Sequence, residues 1–147
     1  MMKRKYPRHP MVGVGALIEK NGSVLLVKRE HEPGKGRWSL PGGLVNLGEK
    51  INDAIKREVE EEVGLKVDVI KIVDVFDSIE YDDKGRVRFH YVIVGFMVKV
   101  IKGKVRGSKE ASQVKWFKAD ELKDLEMTNT TRKLLKGVNF LKNCFVA

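Results

Sequence analysis

Four glutamates crowd into five positions, Glu58, Glu60, Glu61 and Glu62, within the stretch Gly43 to Leu65, which reads GLVNLGEKINDAIKREVEEEVGL. Carboxylates at this density can hold a cation or exchange protons. On a plain structural helix they are a poor choice, since like charges four residues apart cost about 0.2–0.5 kcal/mol per pair even when exposed. Wound at helical pitch, the stretch gives Ile51, Ala54, Ile55 and Val59 a common buried stripe. Glu58 and Glu62 fall inside that stripe, Glu61 at its edge and Glu60 on the opposite side. The first three share an arc of roughly 100°. At about 5.5 Å and an effective dielectric near 20, each close pair repels by about 3 kcal/mol. Proton uptake or a bound cation would relieve this. All-oxygen ligation suits Mg²⁺, with Mn²⁺ as a substitute, and not zinc. The plain alternative is a surface helix whose glutamates pair with lysines.

The residues ahead of the helix bear on that choice. Pro41, Gly42, Gly43 and Gly48 read as a loop in which Gly42 and Gly43 let backbone approach a ligand beside the carboxylates. A diphosphate would sit there, with Mg²⁺ bridging its oxygens, so Gly42 belongs to the surroundings of both metal and substrate. Arg29 and Arg37 flank the approach to this loop. Guanidinium forks match phosphate oxygens, and exposed surface charge is the equal alternative. Arg88 and His90 have the same side-chain parity on one strand and could face a ligand together. Phe89 and Tyr91 then take the other face, as core. Trp38 and Trp116 also read as core.

The elements that must position these groups follow from local patterns. Met11 to Glu19 reads as a buried strand, Asn21-Gly22 as a hairpin turn, and Ser23 to Arg29 as the partner strand. Glu30 to Arg37 is a loop. The charged helix runs from near Glu49 or Lys50 to near Val63, with Gly64 past its end. Lys66 to Tyr81 is extended, Asp82 to Gly85 a turn, and Arg86 to Ile101 an antiparallel strand. Gly103 to Ala111 is a polar loop, Val114 to Phe117 a short strand, Asp120 to Leu125 a helical turn, and Thr130 to Lys142 an amphipathic helix. Strands on both sides of a central helix, with a second helix at the end, predict one α+β sandwich.

The 147 residues suit a single domain, 1–147, with residues 1–10 as a basic arm. No apolar run approaches the ~20 residues of a membrane span, and no signal peptide is expected in the basic N-terminus. One cysteine, Cys144, excludes an internal disulfide and a cysteine-based zinc cluster, so a reducing cytoplasm is expected. A formal net charge of +9 suits an anionic partner such as a nucleotide or another polyphosphate, or simply solubility. The lysines are not clustered into a stripe interleaved with aromatics, so neither DNA nor membrane is an expected partner.

The stretch resembles the signature of the Nudix hydrolases: G, five residues, E, seven residues, then R-E-U-x-E-E-x-G-U, with U a bulky aliphatic. Gly43, Glu49, Arg57, Glu58, Val59, Glu61, Glu62, Gly64 and Leu65 fill it without departure. The resemblance implies a Nudix-type α/β/α sandwich with a mixed, partly antiparallel sheet between helices. It implies Glu58, Glu61 and Glu62 as Mg²⁺ ligands, Glu49 as support for them, and Arg57 orienting a neighbouring carboxylate. The segments YPRHPMVGVGALI, GRWSLPGG, RFHYVIVGF and KEASQVKWF are similar to the ADP-ribose pyrophosphatase-like branch. That branch implies cleavage of a nucleoside diphosphate derivative, ADP-ribose to AMP and ribose 5-phosphate, by a homodimer. Glu110, six residues before Trp116, stands where many members place a general base or metal ligand; a solvated loop acid is the alternative. Rival readings are a pyrophosphohydrolase of oxidised nucleoside triphosphates, an enzyme acting on an RNA end, and a non-catalytic nucleotide- or RNA-binding domain.

Overall fold

A computed structural model describes residues 3–109 and 111–138. Strand β1 (Met11–Lys20) turns through Asn21-Gly22 into β2 (Ser23–Lys28). Short strands β3 (Trp38–Ser39) and β4 (Gly42–Leu44) follow, then helix α1 (Ile51–Val63). Two 17-residue strands, β5 (Leu65–Tyr81) and β6 (Val87–Gly103), form a long hairpin. Strand β7 (Val114–Lys118), a 3₁₀ turn (Ala119–Glu121) and helix α2 (Asn129–Gly137) complete the described chain.

The seven strands form one mixed sheet in the order β3-β2-β1-β6-β5, with β4 also paired to β1 and β7 to β2. Strands β1 and β6 run parallel, and the other pairs are antiparallel. Strand alternation explains why β1 and β2 are apolar almost throughout: both of their faces are covered. Ala16, Ile18, Leu25 and Val27 join Ile55, Val59 and Val63 of α1 in one core. Leu17, Val24 and Leu26 point the other way and join Leu134 and Leu135 of α2 in a second core. The sheet therefore lies between two helices, as the α/β/α expectation requires. Among the described residues, no helix is long and apolar enough to cross a membrane.

The sequence reading needs one correction here. Pro41-Gly42-Gly43 is not simply a loop, because Gly42–Leu44 pairs antiparallel with β1 at Gly15↔Gly42, Val14↔Gly43 and Gly13↔Leu44. Two adjacent glycines carry no strand signal of their own, and only the neighbouring strand supplies it. The second helix is described as far as Gly137, so the remainder of the predicted segment to Lys142 lies outside the described residues.

Candidate functional site

Helix α1 runs along β4, and Gly64 ends it in a left-handed conformation (φ 79°), its N–H bonded to the Glu60 carbonyl. This fixes the register of the glutamates. Val59 and Val63 are buried, Glu58 and Glu62 half-buried, and Glu60 and Glu61 exposed. The helical wheel placed Glu58, Glu62 and Glu60 as found, whereas Glu61, expected at the edge of the buried arc, is exposed.

The two glycines of β4 have different reasons for being glycine. A Cβ on Gly42 would fall 1.9 Å from the Val14 carbonyl oxygen, so close strand pairing demands glycine there. A Cβ on Gly43 would fall 2.3 Å from the Glu58 carboxylate. The close approach predicted for a ligand is thus made, in this fold, by β1 and by Glu58. The Gly42 N–H also donates to Glu62 Oε1 at 3.1 Å, which fixes the second half-buried carboxylate to the same strand.

Arg57 holds the other acids. Its Nε and Nη2 donate to the two Glu49 oxygens at 2.7 and 2.9 Å. Nη1 donates to Glu58 Oε1 at 2.7 Å and to Glu61 Oε2 at 3.2 Å, and Nη2 to the Leu44 carbonyl at 2.9 Å. All five guanidinium N–H groups are thereby used. The repulsion among the carboxylates has a third remedy besides a proton or a metal, namely a cation of the chain itself. The fork on Glu49, then the Asn46 N–H, push the Glu49 carboxyl from 4.5 down to about 2. Hydrogen bonding to Glu49 in turn holds the Arg57 guanidinium above its usual range.

An open cavity of about 1040 Å³ adjoins this structure. Gly42, Gly43, Glu58 and Glu62 line it, and so do Arg4, Arg29 and Arg37. Arg29 is half-buried, and its Nε donates to the Pro33 carbonyl at 2.6 Å. Burial lowers the Arg29 pKa, opposed by the charge of Glu62. Arg37 is exposed at the rim. Glu61, with its side chain 62% exposed, Glu49 and Arg57 do not line the cavity. They stand behind its carboxylate wall. A smaller cavity of about 550 Å³, beside Ile70, Met97 and Lys99, contains none of these groups.

Arg88 stands next to the cavity without lining it, since its ion-pair partner Glu80 is a lining residue. Its Nη1 lies 4.0 Å from Glu80 Oε1, and its guanidinium carbon 5.6 Å from the Phe89 ring centroid. His90 is absent from the lining too, whereas Tyr91, Ile93 and Gly95 line the cavity. Alternation groups residues by face but does not say which face meets the cavity. Phe89 and Tyr91 are buried together with Met11, as expected of core, and Tyr91 serves both roles. Trp38 packs edge-on against Phe117 at 4.9 Å. Glu110 lies outside the described residues. Sequence reasoning missed Tyr91 and Arg4. Parity pointed to the first with the wrong sign, and nothing local pointed to the second.

The Mg²⁺ implied by the resemblance can be tested against these donors. Glu58 and Glu62 line the cavity beside the paired glycines of β4, and Glu61, exposed and outside the lining, is the next acid on the helix. Such an oxygen-only set fits a hard divalent cation. Among the described residues, no three His, Cys, Asp or Glu side chains are already grouped so as to hold a metal ion.

Comparisons with known proteins agree with this geometry. The NUDIX domain family pattern matches residues 7–138. The ADP-ribose pyrophosphatase of Methanocaldococcus jannaschii is 34% identical over 135 residues, which cover 92% of this chain and 76% of that protein. Nucleoside triphosphatase NudI of Escherichia coli is 28% identical over 127 residues, covering 82% and 90%. The crystal structure of MutT NUDIX hydrolase from Burkholderia pseudomallei superposes with a TM-score of 0.79 at 33% identity, covering 89% of this chain and 99% of that one. With the signature intact and its carboxylates set on a cavity wall, the chain belongs to the Nudix hydrolase family.

Proposed function

We propose that the chain is an Mg²⁺-dependent pyrophosphohydrolase of a nucleoside diphosphate derivative, with ADP-ribose, cleaved to AMP and ribose 5-phosphate, as the first substrate to test. The observation that carries this reading is one cavity lined by the carboxylates Glu58 and Glu62 and by the arginines Arg29 and Arg37. Its size suits a nucleotide-sized ligand. Glu58 and Glu62 would hold Mg²⁺, joined by Glu61, with Gly42 alongside. When bound, the metal would neutralise diphosphate charge and lower the pKa of an attacking water. Arg29 and Arg37 orient the phosphates. Arg57 and Glu49 hold the Glu58 carboxylate in place. Glu110 remains the candidate general base.

The experiment is a substrate panel with product analysis in the presence and absence of Mg²⁺. Release of AMP and ribose 5-phosphate from ADP-ribose, abolished by EDTA, is the expected result. Glu58→Gln and Glu62→Gln should lower kcat by about 10²-fold or more, while Glu60→Gln leaves it unchanged. Turnover of nucleoside triphosphates alone would establish the second reading, which the NudI relative favours. Binding without turnover of any compound would establish a non-catalytic domain.

The homodimer implied by the resemblance has an edge to use. Strand β5 ends the sheet and exposes Ile70, Ile72, Val75, Ile79 and Tyr81. A long apolar edge invites pairing with a second copy. Sedimentation should give a dimer, and Val75→Lys with Ile79→Lys a monomer; a monomeric parent chain would dismiss the dimer. The single cysteine supports a reducing, cytoplasmic setting.

A further inference from the structure

The basic N-terminal arm has no part in the chemistry described so far, yet it is fastened to the fold. The Tyr6 N–H donates to the Arg88 carbonyl at 2.7 Å, and the Tyr6 hydroxyl donates to Asp82 Oδ2 at 2.8 Å. The Arg86 guanidinium lies 5.1 Å from the Tyr6 ring centroid and bonds the same Asp82 oxygen at 2.8 Å. Asp82 Oδ1 also accepts the N–H groups of Lys84 and Arg86, each at 2.9 Å. Tyr6 itself has a positive φ of 54°, a conformation a tyrosine adopts only when its surroundings impose it. The clip thus joins the arm to the β5–β6 turn, just ahead of Tyr91 on β6.

Two residues before the clip, Arg4 lines the large cavity together with Arg29 and Tyr91. Its charge is felt by both: it lowers the pKa of Arg29 and opposes the burial that raises that of Tyr91. Among the described residues, no ion pair uses Arg4 or Arg29. The charges of Glu62 and Glu32 act on Arg29 against that of Arg4, and an anion bound by both guanidinium groups would be shared between two cavity-lining forks.

We propose that Arg4, set in place by the Tyr6–Asp82–Arg86 clip, is a substrate-binding residue that holds the diphosphate jointly with Arg29. The proposal rests on the pyrophosphohydrolase reading of the same cavity. The arm then closes the phosphate side of the site from a point remote in sequence. Arg4 contacts the substrate; Tyr6 is a positioning residue that acts through it.

The test combines steady-state kinetics on whichever diphosphate the panel identifies with calorimetric binding of inorganic pyrophosphate. Arg4→Ala should raise KM and weaken pyrophosphate binding by about tenfold, with kcat within about twofold, and Arg4→Lys should restore part of the loss. Tyr6→Phe keeps the ring but loses the bond to Asp82, and should raise KM by about threefold at an unchanged melting temperature. If Arg4→Ala keeps the parent KM and pyrophosphate affinity while the parent chain turns over substrate, the proposal is wrong and the pyrophosphohydrolase reading stands. If the parent chain neither binds pyrophosphate nor hydrolyses any nucleoside diphosphate derivative, the catalytic reading fails and Arg4 loses its role with it.

Discussion

At the scale of single residues, the site is organised by one arginine as much as by its glutamates. Arg57 uses every donor it has on Glu49, Glu58, Glu61 and the Leu44 carbonyl. A lysine offers a point charge in place of this fork. Arg57→Lys should therefore lower kcat nearly as much as Arg57→Ala, by about 10–100-fold, the range found when groups supporting a metal ligand are removed. Glu49 gives a prediction in pH. Its folded pKa of about 2 lies below its ordinary 4.5. Such a group stabilises the fold above the unfolded pKa and loses that contribution as pH falls through the folded one. In urea melts, the parent chain should exceed Glu49→Gln in stability at pH 7, and the gap should vanish between about pH 4.5 and 2. A gap independent of pH would show that packing, and not charge, sets the difference. The role of Arg57 was only partly legible in the sequence. Its spacing from the glutamates allowed a pair with one of them, but Glu49 and Leu44 reach it only because the segment before α1 folds back.

At the scale of elements, β4 and α1 form one unit. The strand contributes almost no side chains, so the helix approaches its backbone closely enough for Gly42 N–H to bond Glu62. The two glycines should separate stability from activity. Gly42→Ala drives a methyl group into the Val14 carbonyl and has no flexible neighbour to move. It should destabilise the fold by about 1–3 kcal/mol or more, visible as a lower melting temperature. Gly43→Ala meets the end of a side chain, the Glu58 carboxylate. It should melt close to the parent temperature and lose most of its activity. Equal loss of stability in both variants would contradict this division. The glycine pair was legible as an unusual backbone, whereas its pairing with β1 was not, since the register Val14↔Gly43 joins residues far apart in the chain.

At the scale of the whole molecule, the sheet separates two apolar cores, one under α1 and one under α2. Phe96 is fully buried in the first, and truncation to alanine should cost about 3–5 kcal/mol, measurable by denaturant unfolding. The cavity gathers residues from β1, β2, β4, α1, the β5–β6 hairpin, α2 and the N-terminal arm. Few of these are neighbours in sequence. The net charge is +9, and three of the arginines, Arg4, Arg29 and Arg37, line the large cavity.

The sequence by itself determined the family signature and, through that resemblance, the α/β/α layering, together with the α1 helix, the inward side of Glu58 and Glu62, and most strand positions. These depend on short-range periodicity and on fixed spacing within one 23-residue stretch. Tertiary structure alone decided which side of β6 meets the cavity, that Arg57 unites three acids, that β1 makes a strand of Gly42–Leu44, and that Arg4 reaches the site. Each of these depends on the pairing of segments distant in the chain, and local sequence carries no record of which partner a strand, a turn or an arm will meet.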